Sequence, residues 1–363
     1  MLYGPADSVD LAQVRRALVV KLRHHGDVLL ASPVIAALKR HAPHADVDAL
    51  VYADTADMLS LHPALSRLHV VDRAWKSLSP LARARVEIGL YSALRARSYD
   101  LLVHLTEHPR GAWLARALGC RYSVAPAVAR KHAIWKRSFT HLYPLPSRGG
   151  RHAVQLNLDA LRRIGVQPDA DELRVVLVPG EQADASVAEL LAPQGLAEGG
   201  FIHLHPGSRW QFKCWTPEGT AELIDRLHGR GERVVVTAAP EESELALIDA
   251  VRSRTRAPVV DLSGKLTLKM LAALAARARL FVGVDSAPMH IAAAMGTPVV
   301  ALFGPSGETE WGPWKVPHRV VASREYACRP CGNDGCGGGK VSECLTSLSV
   351  ETVLEAVDAL RRR

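Results

Sequence analysis

The chain has 363 residues, which is enough for two domains that each bury a core. No uncharged apolar run reaches the roughly 18 to 20 residues of a membrane span, and the start lacks the order of a signal peptide, so we expect a cytoplasmic protein. Lysine and arginine number 45 against 37 acidic residues, and the resulting formal charge of +8 favours anionic ligands.

The first half of the chain alternates predicted strands and helices. Strands are predicted at residues 17–20, 47–52, 69–72 and 101–104, and helices at residues 28–40, 55–61 and 81–97. This order predicts a parallel sheet with right-handed crossovers.

The loop after the first strand carries a candidate general base. Gly26 permits a tight turn, and Asp27 follows it at the edge of the predicted sheet. A carboxylate at that place can take the proton of an attacking hydroxyl. Capping of the next helix is the other role that this position favours for Asp27, and the two roles are compatible.

Residues 110–163 form a strongly basic stretch in which Asp159 is the only carboxylate. Its basic residues are Arg110, Arg116, Arg121, Arg130, Lys131, Lys136, Arg137, Arg148, Arg151, Arg162 and Arg163, interleaved with Trp113, Tyr122, Trp135, Phe139 and Tyr143. Nucleic acid, an anionic membrane surface and a phosphorylated acceptor all fit this stretch, as does a solvated basic face. No helix-turn-helix, RRM or finger pattern accompanies it, which speaks against nucleic acid.

Polar and proline-rich breaks near residues 144–150, 168–171 and 179–180 predict a domain boundary. We therefore expect domains at residues 1–172 and 173–349. They are followed by a terminal helix at 350–363, which could pack on the second domain or back on the first.

The second domain again alternates predicted strands and helices. The strands are predicted at residues 201–205, 233–238, 259–260, 280–284 and 299–303. The helices are predicted at residues 217–229, from residue 242 and at 268–276, and the terminal helix at about 350–362. Two doubly wound halves of this kind place a ligand cleft at the carboxyl ends of their sheets.

Two loops of the second half favour an anionic ligand. After the strand at 280–284, Asp285 or Ser286 can cap a helix that has Pro288 in its first turn, and a helix N-terminus attracts phosphate. After the strand at 201–205, Ser208 and Lys213 are suited to hold a diphosphate. An ordinary strand-to-helix turn and a basic surface loop are the alternatives.

The cysteines fall into two groups. Cys328, Cys331, Cys336 and Cys344 lie in a glycine-rich segment and are candidate zinc ligands, although the second pair has seven residues between its members, where zinc sites usually have two. Reduced loop cysteines are the alternative, since disulfides are rare in a reducing cytoplasm. Cys120 and Cys214 are expected to be small buried apolar residues.

These motifs together resemble a known family. Gly26-Asp27, the turn at residues 285–294 and Leu-Phe-Gly-Pro at residues 302–305 are similar to the ADP-heptose lipopolysaccharide heptosyltransferases, glycosyltransferase family 9. Residues 104–111, 208–215 and 310–314 resemble the heptosyltransferase III branch of that family. The resemblance covers nearly the whole chain after about the first dozen residues.

The resemblance implies a GT-B fold of two Rossmann-like domains, inversion at the anomeric carbon and no requirement for a divalent metal. It implies an ADP-heptose donor, a lipopolysaccharide core acceptor and contact with the cytoplasmic face of the inner membrane. The residue roles that it implies are Asp27 as base, Lys213 and Ser208 on the donor diphosphate, Asp285, Ser286, Ala287, Pro288 and His290 around the phosphates, and Glu244, in preference to Glu242, on the donor ribose. The acceptor's phosphates and carboxylates make Arg110, Arg116, Lys136 and Arg151 candidate acceptor ligands.

Overall fold

The computed structural model describes residues 8–128, 133–145 and 150–361. It divides into two compact units, Met1–Leu177 and Val178–Arg363, so the boundary lies five residues after the predicted one. Of the basic residues singled out above, Arg130, Lys131 and Arg148 lie outside the described ranges.

The first unit is built on a parallel six-stranded sheet. Its strands are β1 (Arg16–Val20), β2 (Asp46–Tyr52), β3 (Arg67–Val71), β4 (Leu101–His104), β5 (Tyr122–Ala127) and β6 (His141–Pro144). They pair in the order β3-β2-β1-β4-β5-β6. The predicted parallel sheet is therefore confirmed, and β5 and β6 extend it beyond the four predicted strands.

The helices of the first unit are α1 (His25–Leu29), α2 (Ser32–His41), α3 (Pro80–Ala96), α4 (Arg110–Leu118), α5 (Ala133–Lys136) and α6 (Ala153–Arg163). The single helix predicted at 28–40 is wrong, because the chain forms α1 and then restarts at Ser32. Pro33 lies in the first turn of α2, where its missing N–H costs nothing, whereas inside one long helix it would break a hydrogen bond. The helix predicted at 55–61 is a 3-10 turn over Ala53–Met58.

The second unit repeats this architecture. Its strands are β7 (Ile202–His205), β8 (Val234–Val236), β9 (Val260–Asp261), β10 (Leu280–Val284), β11 (Val299–Phe303) and β12 (His318–Ala322). Its helices are α7 (Glu181–Leu191), α8 (Pro217–His228), α9 (Glu242–Arg252), α10 (Leu268–Arg277), α11 (Ala287–Ala294), α12 (Glu308–Trp311), α13 (Glu343–Thr346) and α14 (Val350–Arg361). The strand order is β12-β11-β10-β7-β8-β9, again parallel throughout.

In each sheet, the strand that comes first in the chain lies in the middle of the sheet. β1 pairs with β2 on one side and β4 on the other, and β7 likewise lies between β8 and β10. The chain therefore leaves the central strands in opposite directions, and such a reversal opens a crevice at the carboxyl ends of the strands, where ligands bind. In each unit this point is the place to look for a site.

The C-terminal helix α14 packs on the second unit. Its buried apolar residues, spaced at helical intervals, join the core that contains Leu223 and Leu227 of α8. From the sequence, this helix could pack on either unit. In the structure its apolar face is buried against the second unit. Within the described ranges, no helix is long and apolar enough to cross a membrane.

The packing of α14 predicts a clear stability difference between neighbouring residues. Leu354 is 2% exposed, so we expect Leu354→Ala to leave a cavity and lower the free energy of unfolding by about 2–5 kcal/mol. Glu355 is exposed on the same helix, and Glu355→Ala should change that free energy by less than about 0.5 kcal/mol. Urea unfolding monitored by circular dichroism measures both, and equal effects would contradict this packing.

Candidate active site

Asp27 lies just beyond the carboxyl end of β1, at the point where the first sheet reverses. It is the third residue of α1, and the residue at the N-cap position is His24. Asp27 is therefore not the cap itself, although a carboxylate in the first turn still gains from the helix dipole. Its side chain is 15% exposed, and Arg23 Nε lies 3.8 Å from Asp27 Oδ1. The carboxylate is accessible and bears a negative charge at the edge of the sheet.

A buried lysine that sequence reasoning missed lies behind Asp27. Lys21 follows β1 directly, and its Nζ donates to Asn157 Oδ1 at 2.9 Å and to the Leu105 carbonyl at 3.2 Å. Burial lowers the pKa of Lys21 to about 8, although the charge of Asp27 acts to raise it. The sequence did carry a signal for it: a lysine directly after an apolar strand stands at a position that is usually buried.

In the second unit, Lys213 and Asp285 form an ion pair. Lys213 Nζ lies 2.6 Å from Asp285 Oδ2, with the lysine side chain 23% exposed and the aspartate side chain 6% exposed. The loops that carry them leave the paired strands β7 and β10, where His205 is in register with Gly283. Two residues that the sequence predicted for one phosphate site thus lie together at the reversal point of the second sheet.

The start of α11 lies directly beside this pair. Ser286 occupies the N-cap position, but its side chain makes no capping bond, and its Oγ donates to the Val284 carbonyl at 3.3 Å. Ala287 and Pro288 form the first turn as predicted, and His290 is buried one turn further on. Pro288 has no N–H and Met289 N donates to the Ser286 carbonyl at 3.2 Å, so the uncapped N–H group of the first turn that faces another acceptor is that of Ala287.

Ser208 is buried in the loop after β7, where its Oγ accepts a hydrogen bond from Trp210 N at 3.3 Å. The neighbouring thiol of Cys214 contacts the Ser208 carbonyl at 3.7 Å. The loop that bears Ser208 and Lys213 is thus held in place by its own polar contacts.

Glu244 is the glutamate that lies at this site, whereas Glu242 is exposed at the start of α9. Ala239 N donates to Glu244 Oε2 at 3.1 Å, and His205 Nε2 lies 3.5 Å from the same oxygen. Burial acts to raise the pKa of Glu244, but the hydrogen bonding and charge of His205 outweigh it and hold that pKa below its usual range. The carboxylate is therefore ionised at neutral pH.

Gly207 packs against this carboxylate. A Cβ atom at position 207 would lie 2.6 Å from Glu244 Oε2, so only glycine leaves the glutamate in place. Behind it, Thr237 Oγ1 lies 2.8 Å from both His205 Nδ1 and His203 Nε2. A continuous polar chain therefore runs from the strand interior to Glu244.

The four candidate acceptor ligands differ in how they are paired. Arg110 binds both carboxylate oxygens of Glu87, at 2.5 and 2.6 Å. Arg151 binds both carboxylate oxygens of Asp159, at 2.7 and 2.9 Å. Arg116 donates from Nε to Ser138 Oγ at 2.8 Å, and Lys136 lies at the end of α5; both are exposed, as is Arg151.

The six cysteines are all reduced thiols. Cys214 is buried as predicted and Cys120 only partly so; burial raises the pKa of Cys214 to about 12 and that of Cys120 to about 11. Burial raises the pKa of the Cys344 thiol, the charge of Arg329 acts to lower it, and the other three thiols of the segment act to raise it. Within the described ranges, however, no three histidine, cysteine or acidic side chains are arranged to hold a metal ion. Zinc binding by the four thiols stays a prediction.

Comparison with known proteins identifies the family. The model of the family described as Glycosyltransferase family 9 (heptosyltransferase) matches residues 88–341. This chain belongs to that family. It is 36% identical over 295 residues to lipopolysaccharide heptosyltransferase 3 of Escherichia coli K12, which is 81% of this chain and 83% of that protein. The family predicted from the motifs is therefore confirmed.

Solved structures agree on the fold. The crystal structure of the glycosyl transferase family 9 from Veillonella parvula has a TM-score of 0.81 at 23% identity, covering 98% of this chain and 99% of that one. Escherichia coli ADP-heptose lps heptosyltransferase II has a TM-score of 0.73 at 21% identity, covering 95% and 98%. The predicted GT-B fold is thereby confirmed.

The contact between Gly207 and Glu244 leads to a prediction. We expect Gly207→Ala to lower the free energy of unfolding by about 1–3 kcal/mol, because the added methyl group must displace a buried, hydrogen-bonded carboxylate. Gly229 is the matched control: its backbone is helical and its nearest Cβ contact would be 3.5 Å, so Gly229→Ala should stabilise by about 0.4–1 kcal/mol. Thermal and urea unfolding measure both, and a neutral Gly207→Ala would contradict the close packing.

Proposed function

We propose that this protein is an inverting glycosyltransferase that moves a heptose from ADP-heptose to a heptose of the lipopolysaccharide inner core. Its family membership supports this, as do relatives named lipopolysaccharide heptosyltransferase 3 and ADP-heptose lps heptosyltransferase II. The observation that carries the proposal is that Asp285 holds Lys213 beside the N-terminus of α11, so that a lysine ammonium and the positive end of a helix dipole meet where a diphosphate would lie.

The second unit would hold the donor. In the proposed complex the diphosphate accepts hydrogen bonds from Lys213, Ser208 and the first turn of α11, while Glu244 accepts one from a ribose hydroxyl. As the bond from the anomeric carbon to the phosphate oxygen breaks, negative charge grows on the departing ADP. Lysine and helix dipole therefore act more strongly on the transition state than on the bound donor, which accelerates the reaction.

The first unit would supply the base. Asp27 takes the proton of the acceptor hydroxyl as that oxygen attacks the anomeric carbon from the face opposite the phosphate. The new bond forms as the bond to ADP breaks, so the configuration inverts and the electron pair leaves with ADP.

Acceptor recognition is proposed for the basic stretch of the first unit. Arg116 and Lys136 are exposed and suited to phosphates or carboxylates of the core. Arg110 and Arg151 contribute in the proposal by exchanging Glu87 and Asp159 for an acceptor anion.

Substitution of Asp27 tests the assignment of the base. We expect Asp27→Asn to lower kcat by about 10²–10⁴, because the amide cannot accept the proton, with KM for ADP-heptose changed by less than about threefold. Asp171→Asn, which alters an exposed carboxylate of the same unit, is the control and should leave kcat unchanged. Transfer to truncated lipopolysaccharides is followed by mass spectrometry of the products.

Two results would contradict parts of this proposal. Near-normal turnover of Asp27→Asn would remove Asp27 from the reaction. Transfer from another nucleotide sugar, with none from ADP-heptose, would support a glycosyltransferase but reject ADP-heptose as its donor.

We also propose that transfer needs no divalent metal, since Lys213 and the α11 N-terminus supply the positive charge that a metal would otherwise give the diphosphate. Incubation with EDTA should therefore leave the initial rate unchanged. Elemental analysis of protein that has not been exposed to EDTA tests the zinc prediction for Cys328, Cys331, Cys336 and Cys344: one zinc per chain, lost in Cys331→Ser, would support it. A rate that falls with EDTA and returns with Mg²⁺ would contradict metal independence.

A further inference from the structure

Helix α3 is unusual because it packs so little of its surface. Of its 17 residues only Leu94, near the C-terminal end, is buried. Leu81 and Ile88 are 86% and 62% exposed, and because they are seven residues apart they lie on the same face of the helix. A helix in a globular protein normally buries such a face, so this one is available to another surface.

The neighbouring helices continue this exposed face. Trp113 of α4 is 75% exposed, and together with Ile88 it lines an apolar groove of about 290 Å³ between α3 and α4. Tyr91 Oη donates to the Ala117 carbonyl at 2.7 Å, which fixes the two helices side by side. Trp113 therefore extends the apolar surface of α3.

A short hydrogen-bond chain links helix α5 to α4. Arg116, one turn after Trp113, donates to Ser138 Oγ, which in turn donates to the Ile134 carbonyl at 2.6 Å. Ile134 is 64% exposed. We call this surface the α3–α5 face, and its exposed apolar residues are Leu81, Ile88, Trp113 and Ile134.

The charge of the α3–α5 face is positive. The basic residues of the three helices are Arg83, Arg85, Arg95, Arg110, Arg116 and Lys136, and Arg137 follows directly. Their only carboxylate is Glu87, which is already bound to Arg110. Arg85 lies between Leu81 and Ile88 on the same helical face, and Arg137 lies one turn after Ile134, so cations border the apolar side chains.

We infer that the α3–α5 face docks on the surface of an anionic phospholipid bilayer. Exposed tryptophan and aliphatic side chains enter the interfacial layer, and arginines beside them reach the lipid phosphates. Charge complementarity favours this occupant over a second copy of the chain, because two such faces would repel each other. The inference rests on the proposed function only in that a lipopolysaccharide acceptor would lie in the same membrane.

Vesicle cosedimentation of the full chain without substrates tests the inference. We expect binding to phosphatidylcholine vesicles that contain about 30% phosphatidylglycerol, and much weaker binding to phosphatidylcholine alone. Arg85→Ser/Arg137→Ser should lower the partition coefficient on anionic vesicles by about thirtyfold, since each arginine near such a surface contributes about fivefold. Ile88→Ser/Trp113→Ser should lower it by at least about tenfold.

Matched controls use residues far along the chain from this face. Arg256→Ser/Arg324→Ser removes the same charge from exposed positions of the second unit, and Val341→Ser alters an exposed apolar residue there. Both should bind vesicles like the unchanged protein to within about twofold. Loss of binding in these controls equal to the loss in the α3–α5 variants would overturn the inference, as would equal binding to both kinds of vesicle.

Two further measurements distinguish membrane docking from self-association and from a direct role in transfer. Analytical ultracentrifugation tests self-association: dimers abolished by Ile88→Ser/Trp113→Ser, with vesicle binding unchanged, would make this face a protein interface and overturn the inference. Transfer assays compare deacylated acceptor in solution with acceptor in vesicles. The single variants Arg85→Ser and Ile88→Ser, which lie outside the stretch proposed for acceptor recognition, should lose rate only with the second. Absence of any heptosyl transfer would reject the proposed function and leave the vesicle result standing.

Discussion

The ion pair between Lys213 and Asp285 is the contact on which the candidate donor site depends. It joins loops 72 residues apart in the chain, each of which leaves a strand at the middle of the second sheet. A carboxylate as buried as Asp285 is costly without a partner, so this contact holds Lys213 at the start of α11 before any ligand arrives. Ser208 lies on the same loop as Lys213, and its position follows from the same pairing.

Parts of the chain with a strong local pattern could be predicted from the sequence. The apolar run at 280–284 and the proline-containing turn after it gave β10 at its observed bounds and the start of α11, because a buried strand and a helix start both have local signatures. Asp27 was placed at a strand's carboxyl end for the same reason. The GT-B fold followed from motifs spread over both halves, which no single segment would have indicated.

Contacts between distant residues could not be predicted in this way. The bidentate pairing of Arg110 with Glu87 depends on how α3 lies against α4, and nothing in either helix alone indicates that distance. Nothing local to Lys21 indicates its burial, which Asn157, far along the chain, makes tolerable by accepting its hydrogen bond. Pro33 did carry a local signal for the break between α1 and α2, and the single helix predicted at 28–40 did not use it.

The polar chain behind Glu244 has a consequence for where its protons lie. Burial lowers the pKa of His203 to about 3, so its ring is neutral, and its buried Nδ1 has no hydrogen-bond partner in the described part of the chain. A hydrogen on Nδ1 would have no acceptor, so the tautomer with its hydrogen on Nε2 is favoured, and Nε2 donates to Thr237 Oγ1. Thr237 Oγ1, which accepts this hydrogen, also lies 2.8 Å from His205 Nδ1, and His205 Nε2 lies 3.5 Å from Glu244 Oε2. The neutral His203 inside β7 thereby holds the threonine that positions the imidazole beside the Glu244 carboxylate.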